Sequence, residues 1–256
     1  MEKWLLKTAW PMTPPLPYSP FHIIFALTGI LSAAVLARLL KNLSYKKRIW
    51  LLASIGLLLA VTEIYKQLFL YYVADGRHYD WWYFPFQLCS LPMYLCLLLP
   101  FVSKEKQHIL CTFMYSYNLL GAFMVFVDPS GLMHPYWTLT IHSFMWHIVL
   151  IFIGFLIGFS GMAEKGRSGF QKATGLFLLC CLIATVINIA AHPYGNADMF
   201  YITPYYPTTQ MIYRNISEAL GIVPGLIVYI FSIILGAGIL HFAYTKMKGE
   251  GNLFSE

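Results

Sequence analysis

Phe84-Pro85-Phe86-Gln87-Leu88-Cys89-Ser90-Leu91-Pro92 opens an apolar run that continues through Met93-Tyr94-Leu95-Cys96 to Pro100-Phe101. Whether this run crosses a membrane decides how many spans the chain has and where its first cysteine lies. Read as a transmembrane helix over 84–101, it places Pro85 in the first turn, where a missing N–H costs nothing. Cys89 follows one turn further in, within reach of the positive helix end that favours a thiolate over a thiol. Pro92 cannot donate to the Leu88 carbonyl, so a kink and a free backbone acceptor are expected beside the cysteine. A plain packing role fits the same residue, because free cysteine is among the most buried residue types.

The remainder of the chain points the same way. Of its 256 residues, 59% are hydrophobic and 11% charged, whereas a soluble domain carries about 25% charged residues. Mean hydropathy is +0.63. Apolar segments run approximately over 21–40, 49–71, 84–101, 108–127, 137–160, 173–191 and 221–244. Each is near the ~20 residues that a ~30 Å hydrocarbon layer requires. The expected fold is therefore all-α: a polytopic membrane protein with one domain of seven transmembrane helices over 21–245. An interfacial, proline-rich segment (1–20) precedes it, too short in its apolar part for a signal-peptide core. A cytoplasmic tail (246–256) follows. No internal repeat is visible, so an inverted-repeat transporter finds no support in the sequence.

Orientation follows from the basic residues. Arg38, Lys41, Lys46, Lys47, Arg48, Lys104, Lys106, Lys165, Arg167, Lys172, Lys246 and Lys248 fall on one side of the expected spans, and only Lys3, Lys7, Arg77 and Arg214 on the other. The positive-inside rule then puts the N-terminus outside and the C-terminus in the cytoplasm. The net charge of +6 is accounted for by these loops, and no nucleic-acid partner is expected. The side opposite the basic loops carries the loop aromatics, among them Tyr79, Trp81, Trp82, Tyr83, Tyr201 and Tyr206, suited to a membrane interface.

Ionisable and amide groups inside a span are costly, so each is a candidate site residue. Glu63 and Lys66 can pair at i, i+3 on the second span. Asn118 lies midway along the fourth and Asn188 near the outer end of the sixth. The fifth carries His142 and His147, about 140° apart around a helix. At ~1.5 Å per residue, Cys89 and His142 fall about 8 Å below the outer boundary and His147 about 15 Å. Polar groups from five helices at similar depth suggest one polar cavity opening outward. A thiol and an imidazole from different helices suit acyl transfer through an acyl-cysteine, with Gln87 and Asn188 nearest in depth for holding the oxyanion. The five cysteines match no zinc spacing, and His142 and His147 at i, i+5 are poorly placed to share a metal. No metal and no cofactor are expected.

These residues resemble a known family. Phe84-Pro85-Phe86-Gln87-Leu88-Cys89-Ser90 resembles the proline-x-histidine/glutamine-x-cysteine signature of YwaF-type bacterial integral membrane proteins. Asn188 with Gly195-Asn196-Ala197-Asp198-Met199-Phe200 is similar to that family's paired-asparagine segment, and Ala219-Leu220-Gly221-Ile222-Val223-Pro224 to the Leu-Gly-x-x-Pro that opens its last helix. The likeness covers roughly residues 20–245. Where many bacterial members carry histidine, this chain has Gln87, and the glycine-rich part of the fourth helix is reduced to Gly121. The family in turn resembles eukaryotic TMEM-type acyltransferases that remodel ether phospholipids. The resemblance implies a multi-pass protein of the cell membrane, a bacterial plasma membrane, acting on phospholipid and lysophospholipid substrates among the membrane lipids. It implies Cys89 and His147 as the catalytic pair, although depth alone favours His142 as the partner of Cys89. Two rival readings fit the same residues: a transporter or substrate-capture subunit binding a small solute in the cavity, and a structural protein whose polar groups only bridge helices.

Overall fold

The computed structural model describes residues 2–250, with side chains through Met247. It is all-α, 79% helical, with no strand among the described residues. The helices are α1 (Pro20–Leu40), α2 (Tyr45–Phe69, continued by a π turn Leu70–Ala74) and α3 (Leu88–Phe101). Then come α4 (Lys104–Val127), α5 (Trp137–Ser160), α6 (Gly166–Ala191), α7 (Met211–Leu220) and α8 (Ile222–Met247). Six of them, all but α3 and α7, are long and apolar enough to cross a membrane. The chain is a multi-pass membrane protein.

Local chemistry sets the ends. Ser19 caps α1 by accepting the His22 N–H, and Pro20 occupies the first turn, where no N–H is needed. α5 closes at Gly161, whose φ of +70° suits glycine, and Met162 N–H returns to the Ile157 carbonyl at 3.1 Å, a Schellman-type cap.

The run 84–101 departs from expectation. Residues 84–87 are not helical, a 3₁₀ turn occupies Leu88–Ser90, and the α-helix proper is Leu91–Leu98. Fourteen residues from Leu88 to Phe101 cover about 21 Å at ~1.5 Å each, short of the ~30 Å a spanning helix needs. Pro85 precedes the helix instead of starting it. Pro92 stands in the first turn of the α-helix, where its missing N–H is harmless, so no kink forms there. The free acceptor does form, and it is put to use below. The other spans begin or end a few residues from the expected bounds, and the linker 192–220 contains a helix, α7, that was not expected.

The four basic loops meet at one end. Arg48 donates to the carbonyls of Lys41 (3.1 Å) and Ser160 (2.9 Å), Tyr45 Oη to Gln107 Oε1 (2.7 Å), and Tyr244 Oη to the Ala163 carbonyl (3.1 Å). Gln107 Nε2 reaches the Leu99 carbonyl at 2.8 Å, so the C-terminus of α3 belongs to this basic end. The aromatic loops gather at the opposite end. There the N-terminal segment is fastened to the bundle: Leu5 is buried, Thr8 Oγ1 meets Tyr65 Oη at 2.5 Å, and Trp137 N–H donates to the Trp10 carbonyl at 2.9 Å. Trp4 and Trp10 project outward. Of the expected tail 246–256, Lys246 and Met247 continue α8, and 251–256 lie outside the described residues.

The register of α2 against α3 positions the site. A Cβ on Gly56 would lie 2.8 Å from Cys96 Cβ and 2.9 Å from the Leu97 nitrogen. The two backbones therefore touch at that level. They run antiparallel, so seven residues up α2 and seven back along α3, about two turns on each, bring Glu63 opposite Cys89.

Candidate active site

Cys89 lies half-buried in the 3₁₀ turn that starts α3. Two of that turn's three carbonyls are taken by side chains from other helices. Pro92 leaves the Leu88 carbonyl without its helical partner, and Asn118 Nδ2 from α4 donates to it at 2.6 Å. Trp146 Nε1 from α5 donates to the Cys89 carbonyl at 3.0 Å. The turn is thus fixed to the other helices through its backbone, while the thiol's own hydrogen bonds stay inside the turn, to Ser90 and to the Cys89 backbone.

Gln87 and Asn188 serve the loop before α7. Gln87 Nε2 donates to the Asp198 carbonyl (2.8 Å), and its Oε1 accepts the Phe200 N–H (2.7 Å). Asn188 Oδ1 accepts the Met199 N–H (2.6 Å) and its Nδ2 donates to the Met199 carbonyl (3.1 Å). Between these clamps Phe200 and Tyr201 both hold φ of 59°, a left-handed conformation that non-glycine residues adopt at a cost of order 1–3 kcal/mol each. Four amide hydrogen bonds are what hold it. With both their amide atoms so engaged, Gln87 and Asn188 act as clamps on this loop. Asn196 is exposed beside it.

Asp198 is a further member of the loop that sequence reasoning quoted without assigning a role. It is fully buried, its Oδ1 accepts the Thr203 N–H at 2.9 Å, and its Oδ2 has no hydrogen-bond partner. Burial pushes its carboxyl up from an ordinary 3.8 to about 6, against the opposing pull of the Thr203 N–H. Its titratable neighbours are the tyrosines 201, 206 and 229. With the folded value above the unfolded one, the stabilising contribution is complete below pH 4 and is lost as pH rises through 6. Asp198→Asn removes the charge while keeping the Oδ1 acceptor. The variant is expected to be more stable than the parent at pH 7.5, by about 1–3 kcal/mol, and level with it near pH 3. Thermal unfolding in detergent at the two pH values checks this, and an equal difference at both pH values would overturn the assignment.

Glu63, facing the Cys89 turn, is 4% exposed and pairs with Lys66 Nζ at 2.9 Å. Gln67 Nε2 donates both to Glu63 Oε1 (2.7 Å) and to the Tyr83 carbonyl (2.6 Å), joining α2 to the lead-in of α3. The Lys66 charge acts on Cys89, His134, His142 and His147, so all four lie within electrostatic reach of one cation.

The histidines of α5 are differently held. His147 is buried, and its Nδ1 lies 2.8 Å from the Ser143 carbonyl. A carbonyl only accepts, so Nδ1 carries the proton and Nε2 presents a lone pair, the tautomer a general base requires. His142 lies one turn below Trp146 with ring centroids 5.5 Å apart, contacts the Thr62 backbone, and has a buried Nε2 without a partner. His134, in the loop before α5, meets Ser143 Oγ at 3.1 Å. Burial, with Lys66 adding to it, lowers His134 to about 4, so it is neutral at pH 7. No hydrogen bond joins the Cys89 sulfur to either α5 ring.

The structure joins Cys89 to α4 and α5, and Glu63 with Lys66 to the same region. It turns Gln87, Asn118 and Asn188 toward backbone. Trp146 and His134 were missed as members, though Trp146 sits at i+4 from His142, a spacing that puts them on one face. Two apolar clefts are present, one of about 440 Å³ between Trp10, Tyr65 and Trp137, the other of about 450 Å³ along α1, α2 and α5, and neither is lined by Cys89 or a histidine. Among the described residues no three His, Cys, Asp or Glu side chains converge as a metal site.

Fold and site define a polytopic all-α membrane protein with a buried polar cluster near one end. The TMEM164 family model matches residues 17–245, and the chain belongs to that family. No curated protein and no solved structure matches it.

Proposed function

We propose that the protein transfers acyl chains between phospholipids through a thioester on Cys89, with His147 as the base. The observation that carries this reading is the 3.0 Å bond from Trp146 Nε1 to the Cys89 carbonyl. It ties the histidine-bearing helix to the thiol-bearing turn through the backbone, and the thiol's own hydrogen bonds, to Ser90 and the Cys89 backbone, stay within that turn. The fixed tautomer of His147 adds a lone pair on the nitrogen that would take the proton. Membership of the TMEM164 family is compatible with the relation to YwaF-type proteins and ether-phospholipid acyltransferases, and phospholipid and lysophospholipid are the proposed substrates. In the same reading the lead-in 84–87 and α3 together make a seventh crossing in a bacterial plasma membrane, with the N-terminus outside and the basic end cytoplasmic.

The Cys89 S–H proton passes to His147 Nε2, and the sulfur bonds to the ester carbonyl carbon of the donor. N–H groups left free at the start of α3 supply donors for the oxyanion, in place of the engaged Gln87 and Asn188. The ester C–O bond breaks, and the departing lysophospholipid oxygen takes the proton from His147. An acceptor lysophospholipid hydroxyl then returns a proton to His147 and bonds to the thioester carbonyl. The C–S bond breaks and the thiolate recovers the proton.

A phospholipid with a labelled acyl chain is expected to leave a hydroxylamine-labile label on the peptide containing Cys89. His147→Ala should slow its appearance about 10²–10⁴-fold, and His142→Ala less. Label appearing on no cysteine in a protein that moves chains overturns the thioester. An unchanged rate in His147→Ala overturns the choice of base.

A further inference from the structure

α7 is too short to span a membrane, yet its sides are sharply unlike. Ser217 is buried, and a Cβ on Gly225 would overlap its Oγ at 2.0 Å. Tyr213 meets Tyr229 edge-on at 4.9 Å. These two contacts lie symmetrically about Gly221, whose φ of +95° makes the turn. α7 therefore folds back along the first turns of α8 as a helical hairpin at the aromatic end. At ~100° per residue, Ile212, Ile216 and Leu220 share one flank, and Arg214 and Glu218 lie on the opposite one.

Both flanks are open. Ile212 and Leu220 are 69% and 61% exposed, and Arg214 and Glu218 are exposed as well. What covers the apolar flank is indicated by the neighbouring helix. Val223, Ile227, Phe231, Leu235 and Ile239 are exposed on α8, a spanning helix; with Gly225 and Tyr229 facing α7, the exposed Pro224 and Val228 lie on the same side of the hairpin as the Ile212–Leu220 flank and join it to that surface. An uninterrupted apolar surface that begins on a spanning helix belongs to the same solvent. The charged flank carries no excess charge, since Arg214 Nε bonds Glu218 Oε1 at 2.9 Å.

We propose that α7 is a membrane-surface element, its Ile212–Leu220 flank seated in the lipid of the aromatic-end leaflet and its Arg214–Glu218 flank in water. The contact is apolar, so it is indifferent to lipid headgroup charge. This assignment is independent of the acyl-transfer reading and leaves it unaffected if it fails.

The test places a photo-activatable diazirine amino acid at Ile212, Leu220 or Asn215 of the full chain in phosphatidylcholine nanodiscs. Lipid adducts are expected several-fold more often from 212 and 220 than from 215. The ratio should not change when phosphatidylglycerol is added. Equal lipid yields at the three positions, adducts to a second copy of the chain from 212, or a ratio that follows phosphatidylglycerol content would each overturn the proposal. Retention of the basal melting temperature in each labelled protein confirms that the hairpin is intact.

Discussion

Cys89→Ala is expected to abolish chain transfer, a loss of at least about three orders of magnitude, since removing a nucleophile leaves only what binding and oxyanion donors supply. The fold should survive the change. The Cys89 turn is fastened by its carbonyl to Trp146 and by the Leu88 carbonyl to Asn118, with no hydrogen bond from the sulfur to another helix. Alanine keeps both bonds. Cys96→Ala is the matched control: Cys96 is fully buried, lies 3.7 Å from the Met114 sulfur and packs on Gly56. That variant should lose about 1–2 kcal/mol of stability through a small cavity and retain transfer. Transfer from labelled phospholipid to lysophospholipid by the purified protein separates the two. Unchanged transfer in Cys89→Ala would sink the thioester mechanism, and loss in both variants would assign the effect to packing.

The spans were legible because they depend on the length of apolar runs, a property of the chain alone. Pro20–Leu40 and Trp137–Ser160 fall almost where the runs begin and end. The meeting of the four basic loops at one end was legible for a similar reason. The start of α3 was not. Its composition is as apolar as that of a full span, but residues 84–87 stay out of the helix, where Gln87 bonds the 198–200 backbone and Gln67 bonds the Tyr83 carbonyl. Those partners come from distant parts of the chain, and no local rule names them. The same holds for the site. Helix arithmetic put Glu63, Cys89, His142 and Asn188 at one level; in the structure Lys66, the partner of Glu63, acts on Cys89 and His142, while Asn188 is bonded to Met199. It could not say that Asn118, Gln87 and Asn188 would spend their amides on backbone carbonyls and N–H groups freed by Pro92 and by the left-handed turn at Phe200 and Tyr201. α7 is the opposite case. Its alternation of Ile212, Ile216 and Leu220 with Arg214 and Glu218 is a plain helical period, overlooked because it lies within a linker.

Glu63→Leu is expected to lower stability by about 3–5 kcal/mol, the effect of leaving one member of a buried ion pair uncompensated. Glu63 is 4% exposed, accepts from Lys66 at 2.9 Å and from Gln67 at 2.7 Å, and packs opposite the Cys89 turn. Leucine fills the space and supplies neither acceptor. Gln67 still has the Tyr83 carbonyl, so the larger part of the loss falls on the Lys66 ammonium, which is only 19% exposed and loses its counter-ion. The double variant Glu63→Leu/Lys66→Met should regain most of the loss, because an apolar pair of similar volume removes the orphaned charge. Thermal unfolding of the four proteins in one detergent closes the cycle. A single variant as stable as the parent would mean that Lys66 finds water or another counter-ion unaided. A double variant no better than the single would place the loss in Gln67 and the α2–α3 join. Either result would move the cation away from Cys89 and the histidines, and with it the electrostatic centre of the site.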